Sequence, residues 1–229
     1  MNTKHKKPTL TKKQRHKLRV QQVRRQKIFL TCLFLLIVGC ILLRFSKFSG
    51  RQKETHQLNA ACEAYRDEVS SEAAQYDMSD YVDLILAVMM QESSGQGTDP
   101  MQSSEGAYNT RYPQQPNGIT DPSYSISCGI QELKYALDKA GCTGPTDLSK
   151  IRLALQAYNF GADSYFAYLE ENGQTVWTAQ SAQAFAQMAS SNTQRDEDDP
   201  LHDPAGPWDY GDQYYPDHVL RYYHLDNNS

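Results

Sequence analysis

The stretch Tyr81–Gly95, YVDLILAVMMQESSG, decides how the rest of the chain is interpreted. Its first ten residues are almost wholly apolar, which is typical of a buried helix. The chain then leaves this helix at Glu92 for a loop of Ser and Gly. A carboxylate at that point is expected to lie between hydrocarbon and a cleft, which raises its pKa and keeps it protonated near neutral pH. Glu92 is therefore predicted to donate a proton.

Further landmarks follow Glu92 in a fixed order along the chain. They are Asp99–Glu105 (DPMQSSE), Thr120-Asp121-Pro122, Ser125–Ile130 (SISCGI) and Ala157–Gly161 (AYNFG). This order resembles the lysozyme-like superfamily, which includes goose-type lysozymes and soluble lytic transglycosylases. The likeness extends in particular to the lysozyme-like domains of Gram-positive cell-wall hydrolases, some membrane-anchored and some carried by conjugative elements. It runs from about residue 76 to residue 223.

Cleavage of a glycosidic bond needs a proton donor and usually a second carboxylate. Glu92 is the predicted donor, and either Asp99 or Glu105 could be the second acid. The resemblance favours Asp99, because an Asp holds the matching position in the Gram-positive relatives. The resemblance also implies substrate contacts from a set of mainly polar residues. These are Ser93, Met101, Gln102, Ser103, Ser104, Glu105, Tyr158 and Asn159, while Phe160 replaces the usual Ala.

Charge divides the chain sharply. Residues 1–27 hold 11 Lys/Arg and no acid, whereas residues 54–229 carry a net formal charge of −19, from 8 basic and 27 acidic residues. The apolar run Ile28–Leu43 lies between them. We predict a cytoplasmic basic tail over 1–27, a single membrane-spanning signal-anchor over 28–48, a linker over 49–56, and an external catalytic domain over 57–225.

Two alternatives remain for the apolar run. One is a cleaved signal peptide, although no small-x-small cleavage site is evident. The other is a lipoprotein signal, because Ile37-Val38-Gly39-Cys40 resembles a lipoprotein box. The acidic outer part argues against nucleic acid as a partner. The expected partners are peptidoglycan strands, the cell membrane and, for a conjugative element, envelope or conjugation machinery.

The outer part is predicted to be a single, mainly α catalytic domain with a long active-site loop and no convincing strands. The resemblance implies the lysozyme-like α+β class. Apolar spacing indicates a helix over 57–75, with Ser79 as the cap of the Glu92 helix and a long loop over 93–124. Ile126, Ile130, Leu133 and Leu137 mark a helix that ends at Gly141. Further helices are expected over 148–158, 179–190 and 214–223.

No cofactor or metal is expected, because the six His are scattered and no His-Glu-x-x-His motif occurs. Three cysteines lie outside the apolar run, and a Cys128–Cys142 bridge is one option. The leading hypothesis is a muramidase that cuts between N-acetylmuramic acid and N-acetylglucosamine. The alternatives are a lytic transglycosylase, which uses the substrate's own hydroxyl, and an inactive glycan-binding scaffold.

Overall fold

The computed structural model describes residues 56–225. The predicted basic tail, the anchor over 28–48, and all but the last residue of the linker lie outside this range. Within it, no helix is both long enough and apolar enough to cross a membrane.

Residues 56–225 form nine α-helices and one 3₁₀ turn at Ser79–Tyr81. In chain order the helices are α1 (Ala60–Glu63), α2 (Arg66–Gln75), α3 (Val82–Ser93), α4 (Pro122–Ala140), α5 (Leu148–Phe160), α6 (Ala162–Glu171), α7 (Ala179–Ala189), α8 (His202–Ala205) and α9 (Tyr215–Leu220). Over this range the only β-type pairing is one isolated bridge, Gln194 to Trp208. The mainly α prediction is confirmed for the described residues, and no strand accompanies the helices there.

Helix α3 lies at the centre of the domain. Every side chain from Leu84 to Met89 has no exposed surface, as expected for a helix that is apolar on all sides. Helices α2 and α9 pack against it. Glu92 lies at the C-terminal end of this buried helix.

Helix α4 begins and ends where its sequence signals predict. The Asp121 side chain accepts hydrogen bonds from the backbone N–H groups of Ser123 and Tyr124, and Pro122 occupies the first turn. Gly141 ends the helix in the left-handed conformation, with φ of 69°. The predicted apolar positions are buried, and α4 packs along α5.

Two local predictions were wrong, and one helix was not predicted. The helix expected over 57–75 starts at Ala60 and is interrupted after Glu63, so it forms the two helices α1 and α2. Ser79 does not cap α3, because it lies inside the 3₁₀ turn and its side chain makes no capping bond there. Helix α6 was not predicted, although Tyr165 and Leu169, one turn apart, bury its inner face.

Candidate active site

Glu92 lies in the last turn of α3, as predicted. The helix ends at Ser94, whose φ of 56° is left-handed. The Ser93 hydroxyl donates to the carbonyl of Pro100 at 2.8 Å and so ties the following loop to the helix end. The Glu92 side chain is partly exposed, and its Oε1 accepts a hydrogen bond from the Tyr215 hydroxyl on α9.

The surroundings of Glu92 favour its neutral form. The pKa of Glu92 is raised from 4.5 to about 7. Burial is the largest cause, the charges of Asp212 and Asp99 act in the same direction, and the hydrogen bond from Tyr215 opposes them. A carboxyl with this pKa holds a proton through much of the neutral range. The arrangement suits a general acid.

Asp99 lies in a different environment, in the loop between α3 and α4. Its side chain is 1% exposed. Oδ1 accepts from the Ser103 N–H at 3.1 Å and the Ser125 hydroxyl at 2.6 Å. Oδ2 accepts from the Ser104 N–H at 3.1 Å and from the Ser104 hydroxyl. These four donors occupy the acceptor positions of a carboxylate and fold the loop around it.

The loop residues that were predicted to contact substrate fall into two groups. Met101, Ser103 and Ser104 are buried. The Met101 side chain packs on Gly129 of α4, and both serine hydroxyls are engaged within the protein. By contrast, Gln102 and Glu105 are exposed. Substrate contact stays a prediction for all of them, and the structure adds a loop-forming role for the buried three.

Tyr158 and Asn159, near the end of α5, connect the loop to the C-terminal segment. The Tyr158 hydroxyl donates to the carbonyl of Met101 at 2.9 Å, and its ring stacks on Tyr215 with centroids 6.4 Å apart. The Asn159 side chain accepts the backbone N–H of Asp212 at 2.8 Å. Tyr158 therefore packs on the residue that bonds Glu92, and Asn159 holds the segment that carries Asp212.

Phe160, which replaces the usual Ala, is a core residue. Its side chain is 3% exposed and packs against Phe185, Tyr165 and Tyr210. The departure from the usual Ala therefore fills an aromatic cluster in the core.

Sequence reasoning gave no role to Tyr215, Asp212 or His218. Tyr215 holds Glu92 across 123 positions of the chain. Asp212 accepts from the backbone N–H of Tyr214 and pairs with the ring of His218. The resemblance did include the segments that contain Asp212 and His218, but no local pattern links them to Glu92.

The predicted option of a Cys128–Cys142 bridge is wrong. Cys62, Cys128 and Cys142 are free thiols in the described part of the chain. The Cys128 thiol donates to the carbonyl of Tyr108, and the Cys142 thiol donates to the carbonyl of Gly144, each at 3.4 Å.

Comparisons with known proteins identify the family of this chain. The lysozyme-like family model matches residues 60–223. The chain belongs to the lysozyme-like family. The resemblance drawn from the motifs is thereby confirmed at the level of the family.

Relatives occur in Gram-positive bacteria. The chain is 35% identical over 169 residues to the bifunctional muramidase/DL-endopeptidase CwlT of Bacillus subtilis (strain 168), covering 74% of this chain and 44% of that protein. It is 34% identical over 162 residues to the uncharacterized membrane protein YocA of the same strain, covering 68% and 65%. This chain therefore matches less than two thirds of the length of either relative.

A solved structure shares the fold. It is a protein of Staphylococcus aureus subsp. aureus Mu50 described as similar to lipoprotein, NLP/P60 family, with a TM-score of 0.61 and 27% identity. The match covers 76% of this chain and 56% of that one.

Proposed function

We propose that this protein is a membrane-anchored muramidase that cleaves peptidoglycan between N-acetylmuramic acid and N-acetylglucosamine on the outer side of the cell membrane. The observation that carries the proposal is the partly exposed Glu92 carboxyl at the end of α3, with a pKa of about 7 and one hydrogen-bond donor, Tyr215. Membership of the lysozyme-like family and the likeness to a muramidase support it.

Glu92 acts as the general acid. It transfers its proton to the glycosidic oxygen as the bond between that oxygen and the anomeric carbon breaks. Tyr215 then stabilises the carboxylate that remains, because a hydrogen bond to the ionised form favours it. In hydrolysis a water molecule supplies the new oxygen, and Asp99 is the second acid that the sequence predicts.

A lytic transglycosylase acting on the same substrate is the second candidate. The four hydrogen bonds to Asp99 favour this alternative, because a carboxylate with its acceptor positions filled is poorly placed to take a proton from water. A transglycosylase does not require a second acid, because the substrate's own hydroxyl attacks.

The location at the membrane rests on the predicted anchor over 28–48 and is supported by the likeness to a membrane protein. An association with envelope or conjugation machinery remains a proposal from the resemblance. Opening of the wall would be local, because the anchor limits how far the domain reaches.

Mass spectrometry of the products that the full-length protein releases from purified peptidoglycan tests the function. We expect fragments with reducing-end sugars. Fragments lighter by one water would identify a transglycosylase. The absence of any cleaved glycan from a folded protein would contradict both candidates.

A further inference from the structure

The segment that leads into α9 is fixed by hydrogen bonds that meet at Asp212. Its backbone N–H donates to the Asn159 side chain, and its carbonyl accepts from the Gln156 side chain, each at 2.8 Å. Both partners lie on α5, so these two bonds hold the segment against that helix. The Asp212 carbonyl also accepts the backbone N–H of Tyr215 at 3.2 Å, and its Oδ1 accepts that of Tyr214 at 2.9 Å. Asp212 therefore joins α5 to the start of α9.

The other oxygen of the Asp212 carboxylate pairs with His218. Oδ2 lies 2.5 Å from Nδ1 of the ring. Because a carboxylate only accepts hydrogen bonds, Nδ1 carries the proton of this bond, whether the ring is neutral or charged. The Asp212 side chain is 15% exposed and that of His218 is 21% exposed, so the pair is better shielded from water than a surface ion pair. A shielded bond to a carboxylate is stronger than a bond between neutral groups.

The bonds of Asp212 reach α9 at two points. Helix α9 has only six residues, Tyr215–Leu220, and a helix of that length is not stable by itself. Contacts with the rest of the protein therefore set its position and its rotation. Asp212 contacts the helix at the N–H of Tyr215, its first residue, and at the ring of His218, about one turn later. Two contacts separated in this way resist rotation of α9 about its own axis.

The rotation of α9 determines where the hydroxyl of Tyr215 lies. This side chain is 2% exposed, its ring stacks on Tyr158 with centroids 6.4 Å apart, and its hydroxyl donates to Oε1 of Glu92. The hydroxyl lies at the far end of a rigid ring, and hydrogen bonds weaken steeply when their distance and angle change. A continuous series of direct contacts therefore runs from His218 and Asp212 through Tyr215 to Glu92.

We propose that Asp212 and His218 are positioning residues, which fix α9 so that the Tyr215 hydroxyl donates to Glu92. The inference rests on the proposed glycan-cleaving function and concerns the general acid of that reaction. When Glu92 gives its proton to the leaving oxygen, a donor that already faces the new carboxylate stabilises it without rearrangement. Asp212 and His218 exchange no proton with the substrate and act only through Tyr215.

A double-mutant cycle between His218 and Tyr215 tests this proposal. His218→Phe keeps a ring but removes the donor to Asp212. We expect kcat on soluble peptidoglycan fragments to fall by up to about tenfold, the loss expected when Tyr215 loses its hydroxyl, with KM unchanged. Because the pair acts through Tyr215, the double variant His218→Phe/Tyr215→Phe should have the kcat of Tyr215→Phe alone. Losses that multiply in the double variant, or a His218→Phe protein with the wild-type kcat, would overturn the inference.

His202→Phe is the matched control, because it breaks another contact between a histidine and an aspartate, from His202 to Asp203 at 3.0 Å on α8. This control should keep the wild-type kcat. His218→Asn should recover most of the kcat that His218→Phe loses, since its amide N–H takes the place of the N–H on Nδ1. His218→Gln, which keeps a polar side chain with its amide one atom further out, replaces His218→Phe in the cycle if that variant does not fold.

The NMR signal of the Glu92 carboxyl carbon gives a readout that does not depend on activity. The Tyr215 hydroxyl lowers the pKa of Glu92, so His218→Phe should raise the midpoint of its titration, and the double variant should titrate as Tyr215→Phe does. A midpoint that stays at the wild-type value in a folded His218→Phe protein would contradict the proposal. A wild-type protein that cleaves no glycan would contradict the proposed function, while the midpoint would still test the link from His218 to Glu92.

Discussion

The end of α3 and the loop that follows it each hold a carboxyl group, and the two groups differ in exposure and in the number of hydrogen bonds they accept. Glu92 is partly exposed and receives one side-chain hydrogen bond, from Tyr215. Asp99, seven positions later, is buried and receives four. A carboxyl with one donor keeps acceptor positions free, whereas a carboxylate with four donors has them filled. The number of donors, more than burial alone, separates a group suited to proton transfer from one that holds a loop.

The largest expected effect is the loss of activity in Glu92→Gln. The amide has nearly the same shape as the acid but no acidic proton, so glycan cleavage should fall by about 10²–10⁴-fold. Steady-state turnover of purified peptidoglycan measures this. A folded variant that cleaves at the wild-type rate would remove Glu92 from the mechanism.

The Asp99→Asn variant tests the loop-holding role of Asp99 through the free energy of unfolding. Each oxygen of Asp99 faces one backbone N–H, so the amide NH₂ must oppose a donor whichever way it is turned. We expect the free energy of unfolding to fall by about 3 kcal/mol or more, together with activity. Thermal denaturation and turnover are measured on the same sample. Full stability with lost activity would instead favour the predicted catalytic role of Asp99.

The stability of the Glu92→Gln protein should depend on pH. Folding raises the pKa of Glu92 from 4.5 to about 7, so its contribution to stability is complete below pH 4.5 and is lost as the pH rises through 7. The Gln side chain does not ionise, so the variant does not lose stability over this pH range. At pH 8 it should be more stable than the wild type by about 1–3 kcal/mol, and the difference should vanish below pH 4.5. Equal stability of the wild type and the variant at pH 8 would mean that the folded site holds the ionised Glu92 carboxylate without a free-energy cost.

Tyr215→Phe should have the smallest effect of the four. Its hydroxyl lowers the pKa of Glu92, so the alkaline limb of the pH–rate profile should move to higher pH. Turnover should fall by about tenfold, because one hydrogen bond to a charged group is lost. Tyr214→Phe is the matched control, since its hydroxyl accepts from Gln183 instead. If the alkaline limb of Tyr215→Phe stays at the wild-type pH, the hydrogen bond from Tyr215 to Glu92 is contradicted.

Local patterns predicted the helices that have strong start and stop signals. The periodic apolar positions of α4, with Asp121 before them and Gly141 after them, gave its position correctly. The break after Glu63 was missed because the apolar spacing continues across it. Helix α6 was missed because it starts directly after α5, where only Gly161 separates the two.

The site was predictable where its residues are close in sequence. Glu92 at the end of an apolar helix could be read from fifteen residues of sequence. The contact from Tyr215, however, depends on the packing of α9 against α3, and one donor to Asp99 comes from Ser125 on α4. Such long-range contacts leave no local pattern, so only the folded chain reveals them.

The most direct test of the account is an NMR titration of the Glu92 side-chain carboxyl carbon in the full-length protein. Labelling glutamate at that carbon gives the signals, and the spectrum of Glu92→Gln identifies the one that belongs to Glu92. The account predicts a midpoint at about pH 7. A midpoint at about pH 4.5, the ordinary value for a glutamate, would mean that Glu92 has already lost its proton at neutral pH and would contradict its role as the general acid.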